Sequence, residues 1–474
     1  MLIRDAEIEG RRADLRCRDG RIQEIASRLP PGPSSEHEID ARGGALLPGL
    51  HDHHLHLLAL AAALDSVVCG PPAVADRETL RARLQAARPS REGWLRGTGY
   101  HESVAGVLDR QALDALRDDV PVRIQHRSGS MWLLNSAAIR ALDLDRLGRG
   151  PEGVERDAAG APTGRLFRLD GWLRERLPSG SRPSLAAVGA ELVRCGVTGV
   201  TDATPTTGPE ERAWLESAQR SGDLPQHILL MGPLDLTKAS RSEGTRIGIG
   251  ARKRLLDEPA LPDLAELIDW IAAAHARSRP VAFHAVTRTE LLFALAALEA
   301  AGPLSGDRIE HASVAPAETL SRIRALGLTV VTQPNFVAER GDAYRREVDP
   351  LDLPSLYRLR SWLEAGVPLG GGTDAPFGGF DPWRAMRAAV DRQTLAGAVL
   401  GPDERITPEA ALALFTTGSQ RPGGPVRRVA VGRPADLCLL DRPWAEARQD
   451  LSRERVRATF IEGERIEAIP GSTR

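Results

Sequence analysis

The sequence predicts an α/β fold: a TIM-like (β/α)8 barrel with a small composite β-sandwich domain from both termini and an insertion after the first barrel strand. Three observations support this fold class. Helix-like and strand-like segments alternate through the middle of the chain, strand-like hairpins occupy both ends, and histidines or an aspartate stand where several predicted strands end. Such alternation favours a parallel sheet wrapped by helices.

The composition is that of a globular protein without a strongly charged surface. The 474 residues are 42% hydrophobic and carry a formal net charge of -2, with acidic and basic residues mixed along the chain. This provides enough apolar side chains for a large core and gives no reason to expect nucleic acid or an anionic membrane as partner. The four cysteines are scattered, and neither a signal profile nor an apolar stretch of roughly 18 residues is found, so a cytoplasmic protein is expected.

Short strands joined by tight turns are predicted at both termini. They cover 2–8, 13–17, 21–26, 435–441, 456–461 and 464–466. These β-rich ends predict one composite domain from 1–47 and 427–474, which leaves 48–426 for the barrel.

Eight strands with helices between them are predicted for the barrel. The strands are Ala45–Leu50, Val197–Asp202, His227–Gly232, Arg252–Leu256, Val281–His284, Arg308–Ala312, Leu328–Gln333 and Pro368–Asp374. The helices include Leu185–Cys195, Pro262–Arg277, Thr289–Ala301, Pro316–Leu326 and Ser355–Ala365. The first two strands are too far apart for one connection, so an inserted subdomain is expected at about 65–182.

Reactive groups of such a barrel are expected at the carboxyl ends of its strands. His54 and His56 follow the first strand and alternate onto one face, about 7 Å apart. His51 and His53 are expected on the opposite face as spacers, and Asp52 is expected to hold the turn. The other candidates are His284 after the fifth strand, His311 after the sixth, Asp374 after the eighth and Lys253 within the fourth. A single histidine is more often a core or capping residue, but a set that converges on one barrel mouth indicates a metal site.

The run from Pro48 to His56 resembles the PGFxDxHxH signature of the amidohydrolase superfamily. Further motifs are similar to its amidohydrolase-3 branch, which includes N-substituted formamide deformylases. They extend over nearly the whole chain and comprise Trp94–Tyr100, Asn135-Ser136, Gly160–Gly164, Gly196–Thr198, Arg308–Ala312, Gly372–Asp374 and Gly432–Asp436.

This resemblance implies a metal centre and the identity of its ligands. The ligands it implies are His54, His56, His284, His311 and Asp374. It also implies that Lys253 reacts with CO2 and bridges two metals as a carbamate, whereas the residues alone equally allow an ordinary lysine paired with Asp257 or Glu258. Imidazole and carboxylate ligands suit one or two ions of Zn(II), and Mn, Fe or Ni fit such a site as well.

These expectations favour a metal-dependent hydrolase that cleaves a carbon–nitrogen bond other than a peptide bond, in a small-molecule amide or cyclic amide. A metal-bound hydroxide would attack, with Asp374 as general acid and base. The alternatives are a mononuclear-metal deaminase of a small heterocycle with an unmodified Lys253, and, from another class, a catalytically silent barrel that acts as a binding protein. The expected partner is a small-molecule substrate, without nucleic acid or membrane, and a homodimer is left open.

Substrate contacts are expected from side chains around the barrel mouth. They are Tyr100, Trp132, Arg168, Arg288, Gln333 and Asn335. An anionic group of the substrate would meet Arg168 or Arg288. The chain departs from the branch at 128–130, where Ser-Gly-Ser replaces Asp-Gly-His, at Arg168 and at 287–288, so the branch's substrate classes transfer poorly.

Overall fold

The computed structural model describes residues 1–33, 36–148, 150–178, 182–238 and 244–467. The chain folds into two compact units. The first, called the barrel unit below, comprises Met1–Leu57 and Leu185–Arg474, and the second, called the insert unit, comprises Leu58–Ser184. The last residues of the predicted composite domain, 468–474, lie outside the described residues. Within the described ranges, every helix is too short or too polar to cross a membrane.

Eight parallel strands form the central sheet of the barrel unit, each hydrogen-bonded to the next in chain order. They are β1 Leu50–Leu55, β2 Val197–Asp202, β3 His227–Gly232, β4 Ile247–Leu255, β5 Val281–Ala285, β6 Arg308–His311, β7 Thr329–Thr332 and β8 Leu369–Gly371. Beyond β8, the Asp374 amide donates to the His54 carbonyl at 2.7 Å and the His56 amide to the Ala375 carbonyl at 2.8 Å, which joins the last strand to the first. The predicted (β/α)8 barrel is confirmed.

Helices flank this sheet, and several of them begin at a side-chain cap. The helix after β5 shows the principle: Thr287 and Glu290 form a reciprocal capping box, and Leu291, Leu295 and Leu298 then bury one face. The helices are Leu185–Arg194, Pro209–Arg220, Leu264–His275, Arg288–Ala301, Ala317–Ala325, Asn335–Glu347, Arg360–Glu364, Pro382–Asp391, Pro408–Ala413 and Trp444–Ala447. Short 3₁₀ helices are Leu234–Lys238, Glu258–Ala260, Leu353–Ser355, Pro402–Glu404 and Arg453–Arg455.

Two four-stranded sheets from both ends of the chain form the predicted β-sandwich. One contains Leu2–Ile8, Arg11–Arg18, Arg21–Ala26 and Glu38–Asp40, and the other Leu46–Pro48, Leu437–Leu440, Val456–Ile461 and Glu464–Ile466. Their facing side chains form one buried cluster that includes Ile3, Leu15, Leu439 and Phe460. A two-stranded ribbon of Thr417–Gly418 and Arg421–Val426 is also present.

The predicted first barrel strand, Ala45–Leu50, is wrong. Leu46–Pro48 pairs with Leu437–Leu440 in the sandwich, and β1 begins only at Leu50. The change of sheet falls at Gly49, where a Cβ atom would lie 2.2 Å from Thr198 Cγ2. The histidines therefore lie mostly within the barrel strand rather than after it.

The insert unit contains a six-stranded mixed sheet. Its order is Val154–Arg156, Pro162–Phe167, Met131–Leu134, Val122–His126, Leu95–Tyr100 and Val67–Val68. Leu95–Tyr100 runs parallel to both of its neighbours, and the other pairs are antiparallel. The helices of this unit are Leu57–Leu64, whose first residue belongs to the barrel unit, Arg77–Ala86, Glu102–Ala105, Arg110–Asp114, Ser136–Ala141 and Asp170–Arg176.

Candidate metal centre

The two histidines at the end of β1 converge on one carboxylate. His54 Nε2 lies 3.4 Å and His56 Nε2 3.1 Å from Asp374 Oδ1. The two ring centroids are 5.4 Å apart and nearly perpendicular. The hydrogen bonds that close the barrel between these strands hold Asp374 beside both rings.

His311 and His284 complete the group from β6 and β5. The ring centroid of His311 is 4.7 Å from that of His54 and 4.4 Å from that of His284. One ligand atom each from His54, His311 and Asp374 lies within 4.8 Å of the other two. The structure thus brings together five residues from four strands or strand ends, separated by up to 320 positions in the sequence.

The backbone is strained at two of these residues. His311 and Asp374 have φ of 70° and 56°, and Ala312 follows His311 with φ of 44°. Residues other than glycine rarely adopt this left-handed conformation, and it is kept where the surrounding structure enforces it. Consecutive residues of a regular strand face opposite sides, so the turn at His311 allows its ring and the Glu310 carboxylate to lie at the same end of the barrel.

Burial keeps two of the imidazoles neutral. It lowers the pKa of His284 to about 3, with the charge of Lys253 adding to the effect. Burial likewise holds the pKa of His311 well below its ordinary value. Only a neutral imidazole offers a lone pair to a metal, so both rings are prepared to bind one.

Glu310 is a site residue that sequence reasoning missed. Its carboxylate is buried, and Oε2 accepts a hydrogen bond from His54 Nδ1. Burial alone would lower the pKa of His54, but the negative charge of Glu310 and the hydrogen bonds to Asp374 and Glu310 together outweigh it, and the net pKa is raised. A carboxylate on Nδ1 leaves the Nε2 lone pair of His54 directed at the metal position.

A buried arginine balances the charge of Glu310. Arg308 Nη2 donates to Glu310 Oε2 at 3.0 Å and to the His53 carbonyl at 2.8 Å. Burial would raise the pKa of Glu310, yet the charges of Arg308 and Lys253 hold it well below its usual range. The signal available in the sequence was the Arg-x-Glu spacing of 308–310, which places both side chains on one face of β6.

Gln333 and Asn335, predicted to bind substrate, have other partners in the structure. Gln333 is buried, and its Oε1 accepts a hydrogen bond of 2.6 Å from His311 Nδ1. Asn335 is also buried, and its Nδ2 donates to the Thr373 carbonyl at 3.0 Å. Gln333 thus orients a metal-site imidazole and Asn335 anchors the segment before Asp374, and their contact with substrate stays a prediction.

The remaining substrate candidates stay predictions, and three of them have other partners in the structure. Arg288 forms an ion pair with Asp352. In the insert unit, the Tyr100 hydroxyl donates to the Gly106 carbonyl at 2.5 Å, and Trp132 Nε1 donates to Asp170 at 2.9 Å. Both aromatic side chains are buried and pack within that unit, while Arg168 is exposed.

The other polar residues of β1 hold the strand in place. His51 Nε2 bonds to Thr201 Oγ1 and His53 Nε2 to Thr417 Oγ1, each at 2.9 Å. Asp52 accepts from the Thr373 hydroxyl at 2.6 Å and from the His54 amide at 3.1 Å. These contacts leave His54, in β1, and His56, directly after it, as the histidines of this segment that face Asp374.

Three buried polar atoms at this site lack a hydrogen-bond partner among the residues that the structure describes. They are Lys253 Nζ, His311 Nε2 and Asp374 Oδ1. Buried polar groups are nearly always satisfied, so unpaired imidazole and carboxylate atoms at one point fit a cation that is bound there. The fold and this site together define a (β/α)8 barrel with a candidate metal centre at the carboxyl ends of its strands.

Comparison with known proteins places the chain within that class. The sequence profile of the amidohydrolase family matches residues 37–466, so the chain belongs to the amidohydrolase family and is a hydrolase of carbon–nitrogen bonds other than peptide bonds. An N-substituted formamide deformylase of Arthrobacter pascens is 27% identical over 90% of this chain and 89% of the relative.

Solved structures show the same fold. An uncharacterized metal-dependent hydrolase of Pyrococcus horikoshii superposes with a TM-score of 0.72, at 22% identity, over 93% of this chain and 97% of the other. The atrazine chlorohydrolase TrzN of Arthrobacter aurescens, complexed with zinc, superposes with a TM-score of 0.57, at 16% identity, over 98% and 95% of the two chains.

Proposed function

We propose that this chain hydrolyses the C–N bond of a small-molecule amide or cyclic amide with a divalent cation, most simply Zn2+. The residues that would hold the cation are His54, His56, His284, His311 and Asp374. The observation that supports this most directly is the set of buried, unpartnered atoms at the barrel mouth, which includes His311 Nε2 and Asp374 Oδ1. Nitrogen and oxygen donors of this kind suit Zn(II), and Mn, Fe or Ni are the further candidates.

Proton transfer is assigned to Asp374. When bound, a divalent cation polarises a carbonyl group and lowers the pKa of water beside it. Burial would raise the pKa of Asp374, but its contacts with His54 and His56 hold it well below the ordinary value, so the carboxylate is anionic and able to accept a proton. It would take a proton from the attacking water and return it to the nitrogen of the leaving amine.

Lys253 is proposed to carry a carbamate when two metals are bound. Burial lowers the pKa of its ammonium group to about 8, so a substantial fraction is the neutral amine near that pH. The neutral Nζ can attack CO2, forming an N–C bond and releasing a proton. The product is an anionic oxygen donor in place of a cation, which suits a site that lacks a partner for Nζ within the described ranges.

The relatives agree with this reaction class. The Arthrobacter pascens relative is named as an enzyme that deformylates N-substituted formamides, and the structural neighbour from Arthrobacter aurescens contains zinc. A formamide is the smallest amide that this chemistry would cleave, so N-substituted formamides are the first substrates to examine.

The test combines metal analysis with a substrate screen. Zinc-loaded and manganese-loaded protein is incubated with formamides, N-acyl amines and cyclic amides, and the released amine is quantified for the native chain and for Asp374→Asn. We expect release that requires both metal and Asp374. Release of ammonia from a heterocycle, with one metal per chain and no ¹³C-carbamate signal from Lys253 under ¹³CO2, would indicate the deaminase instead. A protein that retains no metal and turns over no compound would indicate a binding protein.

A further inference from the structure

The carboxyl end of β2 lies beside His56, the metal-site histidine that follows β1. β2 ends at Asp202, which is paired with Leu55 of β1 in the parallel sheet. The Ala203 amide donates to the Leu55 carbonyl at 2.9 Å and extends this pairing by one residue. The hydrogen bonds of the barrel therefore fix the segment after β2 next to His56, on the face where barrel enzymes have their active sites.

Thr204, in this segment, is the hydrogen-bond partner of the His56 ring. Thr204 Oγ1 lies 2.9 Å from His56 Nδ1. The other ring nitrogen, Nε2, lies 3.1 Å from Asp374 Oδ1, on the side where a cation would be held. When Nδ1–H donates to the threonine hydroxyl oxygen, the lone pair of the ring is on Nε2 and is directed to that side. The contact therefore orients the ring for binding through Nε2.

A buried carboxylate holds Thr204 and the chain next to His56 in place. Asp202 is only 1% exposed. Its Oδ1 accepts from the Thr204 amide at 3.0 Å, and its Oδ2 accepts from the amide of Leu57, the residue after His56, at 2.8 Å. The Thr207 hydroxyl also donates to Oδ1, at 3.3 Å. One carboxylate thus connects the residue that bonds the ring with the residue that follows the ring in the chain.

The same arrangement is found at two other imidazoles of the site. His54 Nδ1 donates to Glu310, and His311 Nδ1 donates to Gln333. In both cases the partner on Nδ1 leaves Nε2 for the cation, and Thr204 is the corresponding partner on a third ring.

We propose that Thr204 is a positioning residue of the metal site and acts through His56. The inference rests on the proposed function, in which His56 is a ligand of a divalent cation. Hydrogen-bond partners of metal-binding histidines typically contribute about 10- to 100-fold to metal affinity. Thr204 is therefore expected to contribute to the affinity for Zn2+ without being a ligand itself.

The affinity of the full-length protein for Zn2+, measured by chelator competition, tests this role. Thr204→Val has nearly the shape of threonine without the hydroxyl and is expected to weaken Zn2+ binding about 10- to 100-fold. Thr204→Ser keeps the hydroxyl and should restore most of the affinity. Thr207→Val is the matched control, because the Thr207 hydroxyl bonds Asp202 rather than His56, and it should leave the affinity unchanged. Native-like affinity in Thr204→Val, no rescue by Thr204→Ser, or an equal loss in Thr207→Val would overturn the proposal.

A measurement on the metal-free protein separates this inference from the proposed function. In protein with ¹⁵N-labelled histidine, the ring signals of His56 are those lost in His56→Gln. We expect the His56 Nδ1 signal to move in Thr204→Val, to return in Thr204→Ser and to stay in place in Thr207→Val, because its position depends on the hydrogen bond to Thr204. An unmoved signal in Thr204→Val would refute the contact. A native chain that binds neither Zn2+ nor Mn2+ but shows these shifts would contradict the proposed function and confirm the contact of Thr204 with His56.

Discussion

Replacement of Glu310 by glutamine perturbs the charge behind the metal site and leaves the shape of the side chain unchanged. Glu310 is fully buried between His54 Nδ1 and Arg308. Loss of a carboxylate that orients a metal-binding histidine typically weakens metal affinity about 10- to 100-fold. Arg308, only 4% exposed, would also lose its counter-charge, which costs about 3–5 kcal/mol of unfolding free energy when one partner of a buried pair is removed.

A matched variant separates these two effects. Glu404 is a buried carboxylate of the same unit that accepts from Arg358 Nη1 at 2.9 Å and from the Leu359 amide at 2.9 Å. Glu404→Gln should therefore reduce the free energy of unfolding and leave the metal affinity unchanged. The dissociation constant for Zn2+ is measured by chelator competition and stability by denaturant titration. If Glu310→Gln binds Zn2+ as tightly as the native chain does, the proposed role of Glu310 is incorrect.

Three further predictions concern single residues of the same site. Gln333→Leu removes the acceptor of the hydrogen bond from His311 Nδ1 and should weaken Zn2+ binding about 10- to 100-fold. Gln333→Glu keeps an acceptor and should restore the affinity. Equal affinity of the native chain and both variants would contradict this role of Gln333. Asp374→Asn should slow amine release about 100- to 10,000-fold in a rate assay at saturating metal, and an unchanged rate would exclude Asp374 as the base. The folded-state pKa of His284, about 3, lies below its ordinary 6.5, so its stabilising contribution is complete above pH 6.5 and is lost towards pH 3. The metal-free protein should lose up to about 1.4 kcal/mol per pH unit in that window, and a pH titration of unfolding should show a shallower slope for His284→Asn.

The barrel could be predicted because its signals are local. Strands β2 and β3 have the predicted bounds, and the other predicted strands after β1 overlap the observed ones. Short stretches of residues are enough to show the alternation of buried strands with helices, and the number and order of these strands and helices predict the barrel. The first strand was misplaced because 45–50 is equally apolar in either sheet, and only the close approach of Gly49 to Thr198 shows where the chain changes sheets.

The candidate site likewise has a part that the sequence predicts and a part that depends on the tertiary fold. His54, His56 and Asp374 could be singled out because each follows or ends an apolar run, where side chains of a barrel meet. The hydrogen-bond partners of the site histidines could not be predicted from the sequence, because Glu310 and Gln333 act through hydrogen bonds to histidines from other strands. The substrate residues stay predictions, and the partners that these side chains have in the structure, such as Asp170 for Trp132, depend on the tertiary fold and not on the local sequence.

The sequence by itself determined the fold class, the amidohydrolase resemblance and the set of residues that meet at the barrel mouth. Those features depend on periodicity, spacing and residue type along the chain. Only the tertiary structure decided the tautomers and charges of that set, because they depend on residues distant in sequence. Glu310 is hydrogen-bonded to His54 and Gln333 to His311, and burial in the folded barrel lowers the pKa of His284.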